Sequence, residues 1–218
     1  MPSLAEENYL KTIYHLSADN PTGVVTKDIA EAMSLSKASV TDMLTKLAKN
    51  NYVNYQRYKG VTLTKKGASA ALRIIRRHRV WEVFLVKDLK FKWDEVHDVA
   101  EQLEHIVSPL LINRLDAFLG HPQFDPHGDP IPSEAGVMPS KIQRPLTDLP
   151  PGLPATITSV ATEDSPFLKY LDKLGAYIGA QVEVCERIEF DGSLEISIDA
   201  QPSQFISGAA AKNIMITE

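Results

Sequence analysis

Residues 78–105 read HRVWEVFLVKDLKFKWDEVHDVAEQLEH, and the rest of the 218-residue chain can be placed around them. The spacing of apolar residues predicts two successive helices here, over about 66–88 and 93–107, and Thr64 is predicted to cap the first of them. Residues three or four apart share one helix face, so the ligand-type side chains of the two helices converge where the helices pack side by side. These side chains are His78, Glu82, His97, Glu101, Glu104 and His105.

Three carboxylates and three imidazoles exceed what one small ion normally takes from protein, so they indicate two neighbouring metal sites. The set contains no thiol. Carboxylate and imidazole together suit manganese, ferrous iron, cobalt or zinc, and the carboxylate share favours manganese or iron. The alternative is an ordinary solvated charged face. The apolar residues around each group argue against it, because half-buried carboxylates are costly without a cation.

The composition limits where such a chain can act. Apolar residues make up 44% of the sequence, and Cys185 is the one cysteine, which excludes an intramolecular disulfide framework and fits a reducing cytosol. The first residues show neither the basic nor the apolar region of a signal peptide. No run of about 18 apolar residues would span a membrane. We therefore expect a cytoplasmic protein without membrane contact.

The charge is unevenly distributed. Residues 1–79 contain 13 basic and 6 acidic side chains, a net of +7, and residues 80–218 contain 10 and 22, a net of −12. A basic front and an acidic back indicate one part that faces a polyanion and one that faces cations.

The basic front has the pattern of a winged helix-turn-helix. Ser3 and Glu6 form a capping box for a first helix, Thr26 and Ser36 are predicted to cap two short helices over 26–33 and 36–49, and a basic hairpin turns at Lys59-Gly60. Generic α+β content is the alternative, but the order of elements favours DNA binding. The predicted DNA contacts are Thr26, Ser36, Lys37, Ser39, Thr41, Lys46, Arg57 and Lys59.

The middle of the chain changes character twice. Ser108 and Pro109 begin an apolar helix to Leu119, predicted to serve both as core and as a self-association face. Residues 120–154 hold nine of the 14 prolines and indicate a linker or an irregular segment without a core of its own. Asp125 and His127, two apart in that segment, gain interest because metal ligands are expected nearby.

From residue 155 onwards, short alternating runs predict a small barrel of about five strands, with one short helix over SPFLKYLDKLG. The fold class is therefore α+β. The predicted domains are a winged helix-turn-helix over 1–72, a helical metal-binding and dimerisation domain over 73–140, a Pro-rich linker over 141–154 and an SH3-like domain of FeoA type over 155–218.

Across nearly its whole length the chain resembles the diphtheria-toxin-repressor family of metal-dependent transcription regulators, including its manganese-responsive branch. The resemblance is carried by ENYLKTIY, SLSKASVTDMLTKL, RRHRVWE, VHDVAEQLEHIVS and PHGDPIP. It implies a homodimer that binds palindromic double-stranded operators of metal-uptake genes when a divalent metal is bound. The metal would be Mn²⁺ or Fe²⁺, with about two ions per subunit.

The resemblance also implies a division of ligands. His78, Glu82 and His97 look like one site, to which Glu163 contributes from the barrel. Glu101, Glu104 and His105 look like the other site. Glu101 stands where iron-sensing members have cysteine, which fits manganese better. Asp125 and His127 fall where some manganese-responsive members place loop ligands.

The first helix departs from the family pattern. Asn8 stands where the family commonly has Asp or Met, and Lys11 stands where short manganese regulators carry a glutamate. An amide oxygen can bind a hard cation, and Glu7 is the alternative ligand, about 100° away around the helix.

Two further interpretations remain open at this point: a winged-helix regulator with another effector and a structural metal site, and a di-metal carboxylate enzyme.

Overall fold

The computed structural model describes residues 2–18, 20, 22–56 and 60–217, which form two compact units. Unit 1 consists of Met1–His78, Glu104–Val107 and Pro132–Val137. Unit 2 consists of Arg79–Leu103, Ser108–Ile131 and Met138–Glu218. The domain boundaries expected from the sequence remain predictions.

Unit 1 contains the winged helix-turn-helix. Its elements are α1 (Leu4–Ser17), α2 (Thr26–Ala32), α3 (Lys37–Lys49), β1 (Val53–Gln56) and β2 (Gly60–Leu63). The capping box of Ser3 and Glu6 begins α1, and Ser36 caps α3, as predicted. Thr26, predicted to cap α2, is instead its first residue; Val25 holds the cap position without a side-chain hydrogen bond. The hairpin β1–β2 is antiparallel and forms the wing.

The core of unit 1 lies between the three helices and the wing. Leu10 and Ile13 of α1, Ile29 of α2, and Leu44 and Leu47 of α3 are completely buried. These residues follow the helical spacing of the sequence, so their burial fixes which face of α3 is left exposed.

Three helices follow: α4 (Lys65–Lys87), α5 (Val96–Leu103) and α6 (Pro109–Phe118). Of these, α4 and α5 carry ligand-type residues. The hydroxyl of Thr64 accepts from the amide of Gly67 and caps α4, as predicted. The expected helix over 93–107 is shorter, because α5 ends at Leu103. Glu104 and His105 therefore lie beyond the helix, and the prediction that they extend its stripe is wrong. The side chain of Arg77 binds the carbonyl of Glu104 and holds the chain in this non-helical course.

Unit 2 is built on one antiparallel sheet in the order β3-β8-β4-β5-β6-β7. Its elements are β3 (Arg144–Pro145), β4 (Pro154–Val160), α7 (Ser165–Leu174), β5 (Gln181–Arg187), β6 (Leu194–Ile198), β7 (Gln204–Ile206), α8 (Gly208–Lys212) and β8 (Ile214–Thr217). The sheet confirms the predicted SH3-like architecture. The strands β3 and β7 and the helix α8 were not predicted.

The segment expected to be a linker over 141–154 folds with this sheet. It supplies β3, and Leu146 and Leu149 are completely buried in the core formed with Ile157, Val184 and Leu194. The sequence did not predict these contacts, because Pro-rich composition is typical of segments without a core. Among the described helices, none is long and apolar enough to cross a membrane.

Candidate metal centres and DNA-binding surface

Five of the predicted ligands gather within unit 2: Glu82, His97, Asp125, His127 and Glu163, named here the unit 2 cluster. They come from α4, α5, the Pro-rich loop and the residue two before α7. His97 Nδ1 lies 2.7 Å from Glu163 Oε2 and 3.8 Å from Glu82 Oε1. His127 Nδ1 lies 3.8 Å from the same Glu82 oxygen. Carboxylate and imidazole atoms converging at these distances could hold a divalent cation.

The orientation of His127 supports a ligand role. Its Nε2 lies 2.7 Å from the carbonyl oxygen of Trp93, to which it can donate, and its ring stacks on the Trp93 ring. Its Nδ1 is buried and has no hydrogen-bond partner among the described residues. Metal-binding histidines donate their second N–H in this way, which leaves the other nitrogen free for the ion. The residues present therefore fit a metal.

His97 carries the charge that faces the two glutamates. The hydrogen bond to Glu163, and then that to Glu82, raise the pKa of His97 from its ordinary 6.5 to about 10, although burial acts in the opposite direction. Burial acts to raise the pKa of Glu163, but the hydrogen bond with His97 outweighs it, and the pKa of Glu163 is lowered. A protonated His97 therefore supplies positive charge beside these two carboxylates, as a bound cation would.

Asp125 has a second role in the loop. Its Oδ1 accepts from the amides of His127 and Asp129 at 2.8 and 2.9 Å, and its Oδ2 lies 3.3 Å from Arg79 Nε. Burial raises the pKa of Asp125 well above its usual range, and the charges of Glu82 and Asp129 add to that rise. Arg79 also binds Asp129 Oδ2 at 2.7 Å. Asp125 thus shapes the loop that presents His127.

Unit 1 holds a separate group: Glu7, Lys11, Arg77, His78, Glu104 and His105, named here the unit 1 cluster. Glu104 Oε2 lies 2.8 Å from Lys11 Nζ and 2.6 Å from His78 Nδ1. Glu7 binds Arg77 at 2.8 Å through one oxygen and lies 3.0 Å from His105 through the other. Both carboxylates are buried, at 4% and 1% residue exposure for Glu7 and Glu104.

The electrostatics of Glu104 follow from these partners. Burial acts to raise the pKa of Glu104, but the hydrogen bond with His78 and the charge of Lys11 outweigh it, and the pKa is lowered. Near this cluster on α1, Asn8 Oδ1 is buried without a hydrogen-bond partner among the described residues. A buried, unsatisfied amide oxygen is what a hard cation would bind, so unit 1 also fits a metal.

Two further predicted ligands each have a contact within their own unit. His78 contacts Glu104 within unit 1. Glu101 belongs to unit 2, where its carboxylate lies 3.7 Å from His97 Nε2. The assignments that join residues of the two units remain predictions.

Several residues of the two clusters were not found from the sequence. Arg77, Arg79 and Trp93 hold or orient the ligands, and each does so through a partner at least 27 positions away. The only sequence signal was the crowding of arginines before Glu82.

The predicted DNA-binding surface lies on α2 and α3. Ser36, Lys37, Ser39 and Lys46 are exposed, whereas Thr26 and Thr41 are half-buried. The hydroxyls of Ser36 and Ser39 lie 2.9 Å apart, and Lys46 Nζ lies 3.4 Å from Glu6. Arg57 and Lys59 fall outside the described residues. The list of DNA contacts stays a prediction.

A winged helix-turn-helix that shares a chain with clustered carboxylate and imidazole donors defines a metal-regulated DNA-binding protein. Comparison with known families agrees. Residues 3–61 match the iron-dependent repressor N-terminal DNA-binding domain, residues 64–133 its metal-binding and dimerisation domain, and residues 144–218 the FeoA domain. The chain belongs to the iron-dependent repressor family, which includes the diphtheria-toxin-repressor and MntR regulators.

Individual relatives extend over most of the chain. The iron-dependent repressor IdeR of Mycobacterium leprae (strain TN) is 30% identical over 191 residues, which are 82% of this chain and 82% of that one. The regulator MntR of Lysinibacillus sphaericus (strain C3-41) is 36% identical over 115 residues, 53% of this chain and 81% of the relative. A solved manganese-dependent transcriptional repressor in complex with manganese has a TM-score of 0.85 and 38% identity, and the match covers 97% of this chain and 98% of that chain.

Family membership decides between the interpretations left open by the sequence. The protein is a metal-dependent transcriptional repressor of the family's type, which confirms the main prediction and excludes the alternative with another effector. The relatives are repressors and not enzymes, so the carboxylate-enzyme alternative is rejected. Relatives named for iron and for manganese both occur, so family membership does not identify the metal.

Proposed function

We propose that this protein is a manganese-responsive repressor that binds palindromic operators of metal-uptake genes as a homodimer in the cytoplasm. One observation carries the metal assignment: each proposed ligand offers a carboxylate, imidazole or amide atom, and none offers sulfur. Oxygen-rich donor sets without thiolate favour manganese over softer ions. Fe²⁺ is the second candidate, because the same donors can bind it.

We assign two ions per subunit. The first would be held by Glu82, His97 and Glu163, with His127 and Asp125 from the loop and His78 from one helical turn before Glu82. The second would be held by Glu104, His105 and Glu101, with Asn8 or Glu7 from α1. The ions supply positive charge to buried carboxylates, which stabilises the arrangement that binds them.

The regulation is a population shift. Without metal, the carboxylates rely on protons and on nearby cationic side chains. With metal, the same carboxylates and imidazoles are fixed together, so the DNA-competent arrangement becomes more populated to the extent that it binds the ion better. The recognition helices of a dimer would then sit about one DNA turn apart, ~34 Å.

The dimer is proposed to form through α6. Leu110 and Phe118 on this helix are 63% and 68% exposed, and Leu111 is 38% exposed. Large apolar side chains grouped on one exposed face are typical of interaction surfaces. Leu110→Lys should convert the dimer to a monomer in sedimentation analysis, while Leu4→Lys, an equally exposed leucine on α1, should not.

The metal assignment is tested by DNA binding at fixed salt, since phosphate contacts alone make the affinity strongly salt-dependent. Mn²⁺, Fe²⁺ (without oxygen), Co²⁺ and Zn²⁺ are added singly to the apo-protein with an operator fragment. We expect Mn²⁺ to activate at the lowest free concentration. Equal affinity in chelator and in excess metal would overturn the proposal.

The recognition helix is tested separately. Lys37→Ala at the exposed start of α3 should weaken binding to all sequences alike and lower the salt slope by roughly one unit. Ser39→Ala should weaken binding without a change of slope. Lys27→Ala, whose side chain pairs with Glu31 on α2, serves as the control.

A further inference from the structure

Lys11 contacts a proposed metal ligand inside the unit 1 cluster. Its ammonium lies 2.8 Å from Glu104 Oε2, the oxygen that also faces His78. The Lys11 side chain is 14% exposed, and that of Glu104 is 1% exposed. An ion pair this far from solvent is screened little by salt, and removal of one partner leaves the other charge buried without compensation.

The unit 1 cluster is charge-balanced by its own side chains. The carboxylates of Glu7 and Glu104 face the permanent cations Arg77 and Lys11. A divalent ion that entered this cluster would meet carboxylates whose charge is already neutralised, and it would be repelled by the ammonium at short range.

We propose that Lys11 competes with the metal for Glu104 and so sets the concentration of metal at which this repressor responds. Because its side chain reaches solvent, Lys11 can leave Glu104 and be hydrated when the ion binds. Arg77 is held at both Glu7 and the carbonyl of Glu104, so it stays in place. The metal affinity of unit 1 is therefore lower than its ligands alone would give.

The inference rests on the proposed function in one respect, that Glu104 binds the ion. The experiment measures Mn²⁺ binding to the full-length protein without DNA, from the free Mn²⁺ signal in electron paramagnetic resonance. Lys11→Gln keeps a hydrogen-bond donor of similar length but removes the charge. We expect it to bind the unit 1 ion about tenfold more tightly, equivalent to about 1.4 kcal/mol.

Two variants control for shape and for general charge. Lys11→Arg keeps the positive charge and holds a carboxylate more firmly, so it should bind Mn²⁺ no more tightly than the native chain. Lys27→Gln removes an exposed lysine that pairs with Glu31, and it should change nothing. Unchanged or weaker binding by Lys11→Gln, or tighter binding by Lys11→Arg, would overturn the proposal.

Stability without metal gives an independent readout. Lys11→Gln leaves Glu104 with less compensation, so the chelated protein should melt at a lower temperature and gain more from added Mn²⁺ than the native chain does. A variant that folds only with Mn²⁺ present would support the competition. Should it not fold at all, the Lys11→Arg comparison still decides.

Failure of this inference can be separated from failure of the proposed function. If Glu104→Gln leaves Mn²⁺ binding intact, Glu104 is not a ligand and the proposed function is wrong in that assignment. If Glu104→Gln abolishes one ion while Lys11→Gln changes no affinity, only the competition by Lys11 is wrong.

Discussion

The two clusters neutralise their buried carboxylates in different ways. In unit 1, Glu7 and Glu104 face Arg77 and Lys11, whose charges are permanent. In unit 2, Asp125 also faces a permanent cation, Arg79, but Glu82 and Glu163 face His97, whose charge depends on a proton. A proton exchanges readily for a metal ion, whereas a lysine or arginine must be moved. Unit 1 should therefore be the more stable cluster without metal, and unit 2 the more responsive to pH and to metal.

The largest effect is expected from Arg77→Met. It leaves Glu7 buried without its guanidinium partner, and loss of one member of a buried pair costs about 3–5 kcal/mol. Urea unfolding of the chelated protein should show this loss, and Glu7→Gln with Arg77→Met should recover most of it. In unit 2, Glu163→Gln should cost much less, because His97 can release its proton. Equal losses for Arg77→Met and Glu163→Gln would contradict the distinction between the clusters.

The next effect tests what positions His127. Gly128 has φ +85°, and a Cβ at this residue would overlap the backbone of Thr158 and Ser159 on β4. Gly128→Ala should therefore cost about 3 kcal/mol and abolish Mn²⁺ binding in unit 2 while leaving unit 1 able to bind. Gly120→Ala is the matched control, since Gly120 has φ +80° but open space around it, and should cost about 1 kcal/mol. Similar losses for the two alanines would show that the loop is not built against β4.

Sequence patterns predicted the secondary-structure elements better than the long-range contacts of their side chains. The helix-turn-helix, the wing, the caps of Ser3, Ser36 and Ser108 and most of the strands follow from local periodicity and turn residues. The end of α5 was missed, because the local sequence gives no stop signal at Leu103, and the contact of the next carbonyl with Arg77 is made by a distant part of the chain. Helical spacing also could not reveal that His78 contacts Glu104, since the chain leaves the helix between them.

The residues that compensate the charge of the ligands or orient them were predicted least well. Lys11 was considered only as a residue unable to bind metal, and nothing in its local sequence shows that it pairs with Glu104, 93 positions away. The partners of Arg79 and Trp93 were missed for the same reason, because they lie in the Pro-rich loop. Ligand types can thus be recognised from spacing, but the groups that compensate their charge cannot.

A pH titration of stability tests the proton on His97. Its pKa in the folded chain, about 10, is above its ordinary 6.5, so the stability it contributes is fully present below about pH 6.5 and is lost as the pH rises through 10. Chelated native protein should lose stability across this window, and His97→Gln should not. Mn²⁺ affinity in unit 2 should rise across the same window, because the ion no longer competes with the proton. A flat profile for the native chain would show that His97 carries no proton in this cluster.

The smallest effect separates the two contacts that Trp93 makes with its surroundings. Its indole N–H donates to Asp172 on α7 at 3.0 Å, near solvent, while its carbonyl accepts from His127. Trp93→Phe removes only the indole bond and keeps a ring that can stack on His127, so it should lower the free energy of unfolding by no more than about 1 kcal/mol.

Mn²⁺ affinity should stay within about threefold of the native value, since the main chain still fixes the tautomer of His127. The measurement is best made in a Glu104→Gln background, where unit 2 supplies the remaining site. A tenfold loss of affinity would mean that the ring, and not the carbonyl, orients this ligand. The contrast between the clusters would then lie in how rigidly the imidazoles are held, as well as in which charges they replace.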